Sequence, residues 1–337
     1  MKKKLFLYPY TKSMDSLLKL KEELEEYVIK TVGCFKEDQT YLMERYPELK
    51  IVCSYEEGLK DADSLLLNEE LEEQMEEAAQ KCKEYAIAQK KEILQEKETF
   101  EAIEDLRGYK LKAMEVPVLA ILGSGEQCSK FESTSILAGR IREHGYHVLA
   151  ISGNPYAKAN KMEKIPDYFF RNTVDLETKI MNFNRYVAEL CEKQNRDIIV
   201  VEIPGGILPI AKMEYFHFGE FALVVTEALE IDAAVYNVYE NVATLDEKEL
   251  ESYLKRLAEH CLYKYRIPIS FFAVSSQHLK PNKEEKKVEF LYLSPQFMQE
   301  KEERQSNEKL VFLNNTKMMK DKVDEILKEL TENAEVI

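Results

Sequence analysis

One stretch limits what this chain can fold into more than any other: VPVLAILGSGEQCSKFESTSILAGRI, residues 116–141. Residues 118–122 are a continuous apolar run, as expected of a strand covered on both faces of a parallel sheet. Gly123 and Gly125 permit the tight backbone that a sharp turn needs, and a helical pattern opens at Lys130. Strand, glycine turn, lysine and helix in that order make a βα unit. The first amides of its helix face outward at the positive end of the dipole, so the turn is shaped to cradle an anion. Lys130 adds a point charge for the outer phosphates of such a ligand.

The binding residues expected in this turn are Gly123, Ser124, Gly125, Cys128, Ser129 and Lys130. The phosphate-loop pattern G-x-x-x-x-G-K-[ST] is met only in part. Ser129 replaces the second glycine, and Phe131 stands where a magnesium-binding hydroxyl belongs. Ser133 and Thr134, one helical turn later, are the available substitutes. Cys128 has two readings: a thiolate favoured by the helix dipole, or a small buried side chain. No histidine lies near it in sequence to activate it.

A second run, DIIVVEIPGG at residues 197–206, ends a buried strand on Glu202 and turns at Gly205 and Gly206. The carboxyl edge of a parallel sheet is where such folds bind ligands, so Glu202 is the candidate to hold magnesium or position a water. Its alternative role is to cap the turn or pair with a lysine. The aromatic segment 207–220, with Lys212, Tyr215, Phe216, His217 and Phe218, follows directly. It reads equally as a lid or peptide groove and as packing beneath the loop. Asn154, Lys158 and Lys161 fall on another sheet-edge loop, within reach of a phosphate or acidic group.

Around these segments the chain reads as α/β throughout. Expected strands at 5–8, 27–32, 50–54 and 62–67, with helices at 14–26 and 55–60, make residues 1–68 a Rossmann-like parallel unit. It has no G-x-G-x-x-G, which argues against a dinucleotide there. A long Glu/Lys-rich helix over 69–105 connects it, through a linker ending at 115, to a phosphate-loop-like domain at 116–279. That domain has expected strands at 118–122, 147–152, 197–203, 221–226, 233–239 and 270–273. A polar linker at 280–287 leads to a small β/α extension at 280–337, with strands at 288–293 and 310–313 and a helix at 317–330.

Charge narrows the partners. The 47 Lys+Arg against 62 Asp+Glu give a net −15, which opposes association with nucleic acid or anionic membrane. Six scattered cysteines without a C-x-x-C pair argue against zinc or a disulfide framework and for a reducing compartment. The five histidines show no metal-ligand spacing; His144 and His147 read as surface and packing residues. With no signal segment and no membrane-length apolar run, a cytoplasmic location is expected.

The stretches GSGEQCSKF and VEIPGG resemble the branch of phosphate-loop proteins that includes dethiobiotin synthetase and the cobyrinate amidases. The resemblance rests on the first glycine, the lysine, the glutamate and the final glycines. It implies a nucleotide such as ATP with Mg, and a homodimer. A wider set of motifs, YPY, CSYEEGL with DADSLLL, ILGSGEQCSKF, GYHVLAISGNP, and IPGGILP with FGE, resembles clostridial peptide maturation system proteins. That resemblance implies an accessory factor in maturation of a ribosomally made peptide, with the precursor peptide and a radical S-adenosylmethionine maturase as partners. Three roles remain open: nucleotide-dependent assistance, a non-catalytic scaffold presenting the precursor, and an ATP-dependent ligase or carboxyl-activating enzyme.

Overall fold

The computed structural model describes residues 2–68, 71, 73–94, 100–210, 214–282, 284–285, 287–305 and 307–334. The chain divides into two units, Met1–Glu98 with Asn154–Lys164, and Thr99–Gly153 with Ile165–Ile337.

The first unit alternates strands and helices: β1 (Lys3–Tyr8), α1 (Asp15–Lys19), β2 (Tyr27–Gly33), α2 (Lys36–Arg45), β3 (Lys50–Val52), α3 (Tyr55–Lys60), β4 (Ser64–Leu67), α4 (Glu73–Ala88) and β5 (Glu92–Leu94). All pairings are parallel and the order is β3-β2-β1-β4-β5, the arrangement expected of a Rossmann-like unit. Phe6, Leu65, Leu59 and Cys82 share its buried core.

Two expectations fail here. The helix expected over 14–26 stops at Lys19, and residues 20–26 turn back into β2. The helix expected over 69–105 ends at Ala88, and the unit continues past residue 68. Lys90 turns the chain at a φ of +55°, and Glu92–Leu94 then pairs with β4. Three residues of good helix-forming sequence are recruited as an edge strand, because pairing and burial of Leu94 outweigh a propensity difference of roughly 0.5 kcal/mol per residue. Residues 69, 70, 72 and 95–99 of that expected helix lie outside the described residues.

The second unit is built on β6 (Val118–Gly123), α5 (Lys130–Glu143), β7 (Val148–Ser152), α6 (Leu176–Lys193), β9 (Ile198–Glu202), α7 (Glu220–Ala228), β10 (Ala233–Val238), α8 (Glu247–Tyr265), β11 (Ile269–Val274), β12 (Gln277–Asn282), β13 (Lys287–Tyr292), α9 (Pro295–Glu303), β14 (Leu310–Phe312) and α10 (Thr316–Ala334). The short β8 (Glu163–Lys164) falls in the segment grouped with the first unit. Within the second unit the sheet runs β14-β11-β10-β6-β9-β7, parallel at every pairing. β6, the strand feeding the glycine turn, lies between β9 and β10. The ends of three adjacent strands therefore open beside the turn, where parallel sheets bind ligands.

The expected strand at 221–226 is a helix. Phe221, Ala222, Val224, Val225 and Thr226 are all buried, so the run shows no polar face from which a helical period could be read. Thr226 Oγ1 confirms the turn by donating to the Ala222 carbonyl at 2.9 Å. The C-terminal residues do not form a separate extension either. Residues 287–292 pair back antiparallel on Gln277–Asn282, which puts strand where a linker was expected from residue 280. Leu310–Phe312 joins the main sheet beside β11. Asp324 on α10 takes the Arg140 guanidinium of α5 at 2.6 Å, fixing the last helix to the helix behind the glycine turn.

Candidate functional site

β6 delivers Gly123 to the top of the sheet with no room for a side chain. A Cβ there would stand 2.4 Å from Cys128 Sγ. Ser124 N–H is taken by the Asn237 carbonyl at 2.9 Å, and the chain then reverses with Gln127 and Ser129 at φ of +52° and +62°. Ser129 is the residue before α5, and its left-handed conformation turns the loop into the helix. Asn237, at the end of β10, holds the turn from below: its Nδ2 donates to the Cys128 carbonyl at 2.9 Å and to Ser133 Oγ at 2.7 Å.

The consequence is a run of backbone donors. Among the described residues, Cys128 N–H closes the turn at residues 126–127 on the Gly125 carbonyl, the other N–H groups of residues 125–131 are not drawn into helix or sheet ladders, and the Ser133 N–H is already used on the Ser129 carbonyl at 3.1 Å. Successive amides around a left-handed turn form a concavity suited to an anion. Lys130, only 6% exposed, lays its ammonium beside them; Nζ donates to the Gly125 carbonyl at 3.0 Å and to that of Gly205.

β9 brings the second loop to the same place. Gly206 packs so closely that a Cβ would stand 2.7 Å from Gly125 Cα and 2.7 Å from the Ser124 carbonyl oxygen. Gly205 turns at a φ of +69°. Glu202, 7% exposed, accepts from Ser152 Oγ at the end of β7. Burial pushes its carboxyl up to about 7, against the Lys130 charge and the Ser152 hydroxyl, which both favour the ionised form. All nine expected binding residues thus sit on two touching loops. Ser152 and Asn237 join them from neighbouring strand ends. Sequence reasoning missed both, although each closes an apolar run of a parallel strand, the position from which side chains converge on such a site.

Not every expected role fits. Cys128 is buried, donates to the Gly125 carbonyl at 3.0 Å, and its thiol is pushed up by burial, which favours the packing reading over a nucleophile. Phe131 is buried and supplies no oxygen. Neither substitute hydroxyl replaces it: Thr134 Oγ1 donates to the Lys130 carbonyl at 2.8 Å, and Ser133 is held by Asn237. The donor set therefore fits a phosphate, while Glu202, with the Glu126 and Glu132 carboxylates near enough to act on it, remains the candidate for magnesium. Among the described residues no group of three or more His, Cys, Asp or Glu is arranged to hold a metal ion. Asn154, Lys158 and Lys161 are engaged within the first unit. Asn154 Nδ2 donates to Ser16 Oγ at 3.4 Å, Lys161 lies 2.8 Å from Glu25, and the Lys158 charge acts on Glu92. His144 and His147 pair with Asp324 and Asp197 at 2.8 and 3.0 Å, as packing and surface residues do.

The aromatic segment after Gly206 packs against the loop through one ring, the second of the two readings the sequence left open. Phe216 is buried, and a Cβ on Gly125 would meet its Cζ at 2.5 Å, so this ring packs directly on the loop. Tyr239 ties the other side, its hydroxyl donating to the Glu126 carbonyl. Phe216, His217, Phe218 and Gly219 all have positive φ, +46°, +49°, +54° and +78°, a left-handed turn of four residues. The three side-chain-bearing members each cost roughly 1–3 kcal/mol, so surrounding structure must impose the turn. Lys212 lies outside the described residues.

No family model matches the sequence, and no curated protein matches it. Solved structures do resemble the fold. A DUF1611 family protein from Anabaena variabilis superposes with a TM-score of 0.58 over 96% of this chain and 99% of that one, at 11% identity. A cobyrinic acid a,c-diamide synthase from Mycobacterium smegmatis with bound ADP and magnesium matches at a TM-score of 0.29 and 10% identity, over 48% of this chain and 74% of its own. The kinase domain of the Escherichia coli tyrosine kinase ETK matches at 0.32 and 13% identity, over 60% and 74%. The first of these establishes that the α/β architecture extends over nearly the whole chain. At such identity the likeness is one of fold.

Proposed function

We propose that the second unit binds the phosphates of a nucleotide at residues 123–131, with Lys130 as the principal charge. The observation that carries this reading is the glycine turn leading into the N-terminus of α5, with its backbone amides beside a buried ammonium. A buried lysine that donates to two carbonyls gains from exchanging one for an anionic oxygen, since charge-assisted hydrogen bonds are roughly twice as strong as neutral ones. Glu202 stands across the site to accept a hydrogen bond or a proton from whatever adjoins the phosphates. Phe131 removes the hydroxyl that orients magnesium, which weighs against an ATP-dependent ligase.

Thermal unfolding with ATP, ADP and GTP tests the proposal. At a ligand concentration one hundred times Kd, stabilisation is about 2.7 kcal/mol, several degrees in Tm. Wild type is expected to gain this and Lys130→Ala to lose it, with Lys130→Met as a second variant that keeps the buried stem. Removing magnesium is expected to change the gain little. If no nucleotide raises the Tm of wild type, the reading is wrong.

The wider role, assistance to peptide maturation with a precursor peptide and a radical S-adenosylmethionine maturase as partners, rests on the motif resemblance alone, as does a homodimer. Capture of the precursor by the purified protein would support it. Capture unchanged by nucleotide and by Lys130→Ala would favour the non-catalytic scaffold. Among the described residues no helix is long and apolar enough to cross a membrane. The cytoplasm remains the proposed location.

A further inference from the structure

The left-handed turn after Gly206 buries one ring and exposes two. Phe216 is wedged against Gly125, while Tyr215 and Phe218, on either side of it, are 45% and 67% exposed. Their rings lie 5.2 Å apart at 30°, and the Phe218 N–H closes the turn on the Tyr215 carbonyl at 2.7 Å. Phe218 is among the most exposed large apolar side chains described, yet it sits on strained backbone rather than on a free loop.

Three features hold the pair in place. Phe216 anchors the turn to the glycine loop, and its N–H donates to Glu214 Oε1 at 3.1 Å. Gly219 admits no side chain, since a Cβ would stand 2.1 Å from the Tyr265 hydroxyl. The His217 ring lies 5.0 Å from that of Phe221 on the following helix, tilted by 42°. One residue, His217, separates Phe216 from Phe218, at most about 8 Å between Cα atoms at 3.8 Å per step. The exposed rings therefore stand on the same turn that the Phe216 ring anchors to the glycine loop.

We infer that Tyr215 and Phe218 form the stacking platform for the heteroaromatic base of the nucleotide whose phosphates occupy residues 125–131. This rests on the phosphate reading above and adds the part of the ligand that distinguishes it from inorganic phosphate. Exposed aromatic faces bind bases through stacking, tolerant of base identity, and contribute without any hydrogen-bonding code. The platform accordingly predicts binding of nucleotides as a class.

Titration calorimetry of full-length wild type, Phe218→Ala, Phe218→Tyr and Tyr215→Ala with ATP and with inorganic tripolyphosphate separates the two ideas. Loss of a stacking ring lowers affinity for a base-bearing ligand by roughly 5- to 150-fold. The expected result is that Phe218→Ala loses at least fivefold for ATP and nothing for tripolyphosphate, that Tyr215→Ala behaves alike, and that Phe218→Tyr recovers wild-type binding. Equal affinity of wild type for ATP and tripolyphosphate, unmoved by Phe218→Ala, overturns the platform and leaves the cradle standing. Binding of neither ligand to wild type overturns the phosphate reading and the platform with it. Unchanged circular dichroism and Tm of the unliganded variants exclude loss of fold as the cause.

Discussion

Glu202 shows how a single position can be read from sequence in kind and not in degree. That an acidic residue closes a buried strand before Pro-Gly-Gly was legible. Its depth of burial was not, because that depends on Ser152 and Lys130 arriving from other elements. Burial raises its carboxyl to about 7 in the folded chain, against an ordinary value near 4.5. A folded pKa above the unfolded one means the native state binds the extra proton. The stabilisation is complete below about pH 4.5 and is lost as pH rises toward 7, by up to about 3 kcal/mol. Asp324 works in the opposite sense: the Arg140 guanidinium and His144 hold it down at about 2, so its contribution is present above about pH 4 and is lost under acid. Melting curves between pH 5 and 8 are therefore expected to show wild type losing stability with rising pH, and Glu202→Gln losing less. Parallel curves for the two proteins would mean that Glu202 keeps an ordinary pKa.

At the scale of elements, the turn after β6 was readable because local chemistry dictates it. Glycines, lysine and helix are adjacent in sequence, and the structure realises them in that order. The element after Gly206 was not readable. Residues 221–226 are apolar or buried throughout, with Leu223 alone half-buried, which erases the polar face that separates a helix from a strand. β5 escaped for a related reason: three residues carry too little pattern to announce a strand, and the strand expected at 310–313, which forms as β14, gave no sign of its pairing with β11. What joins the two loops of the candidate site is the glycine pair. A Cβ at Gly206 would meet backbone, Gly125 Cα and the Ser124 oxygen, each at 2.7 Å, and neither atom belongs to a side chain that can swing away. Gly206→Ala is expected to push the loops apart, costing about 1–3 kcal/mol of stability, and to abolish the nucleotide-induced rise in Tm. Gly139→Ala on α5, where a Cβ meets nothing within 4 Å, is the control; a residue with good helix propensity there should leave binding intact and raise stability slightly. Equal nucleotide response in the two variants would show that close approach of the loops is not needed.

At the scale of the whole chain, the first unit explains why it carries no ligand fingerprint. Its strand order reverses between β1 and β4, and beyond the carboxyl ends of those strands lies the crevice that open α/β sheets use for ligands. Here that position belongs to Tyr156, from the segment Asn154–Lys164, which the chain returns to this unit after β7. The ring is buried, and its hydroxyl lies 3.0 Å from Asn68 Oδ1 and 2.7 Å from Ser13 Oγ, while Asn68 Nδ2 donates to Thr11 Oγ1 at 2.7 Å. Thr11 and Ser13 follow β1 and Asn68 follows β4, so the groups that would greet a ligand are satisfied by the protein's own tyrosine. Sequence could place the first four strands of this unit but not its plug, because Asn68 and Tyr156 lie some ninety residues apart. Residues 1–98 without the returning segment therefore lack part of their own core. Tyr156→Phe keeps the ring and removes the hydroxyl's bonds to Asn68 and Ser13, at a cost of about 1–3 kcal/mol; Tyr156→Ala adds a cavity and is expected to lose about 3–5 kcal/mol. Urea unfolding followed by tyrosine-sensitive near-ultraviolet dichroism should show this order in the full chain, and an isolated 1–98 fragment should unfold earlier than either variant. A fragment as stable as the intact chain's first transition would mean that the unit closes without Tyr156, and that the crevice is open to a ligand after all.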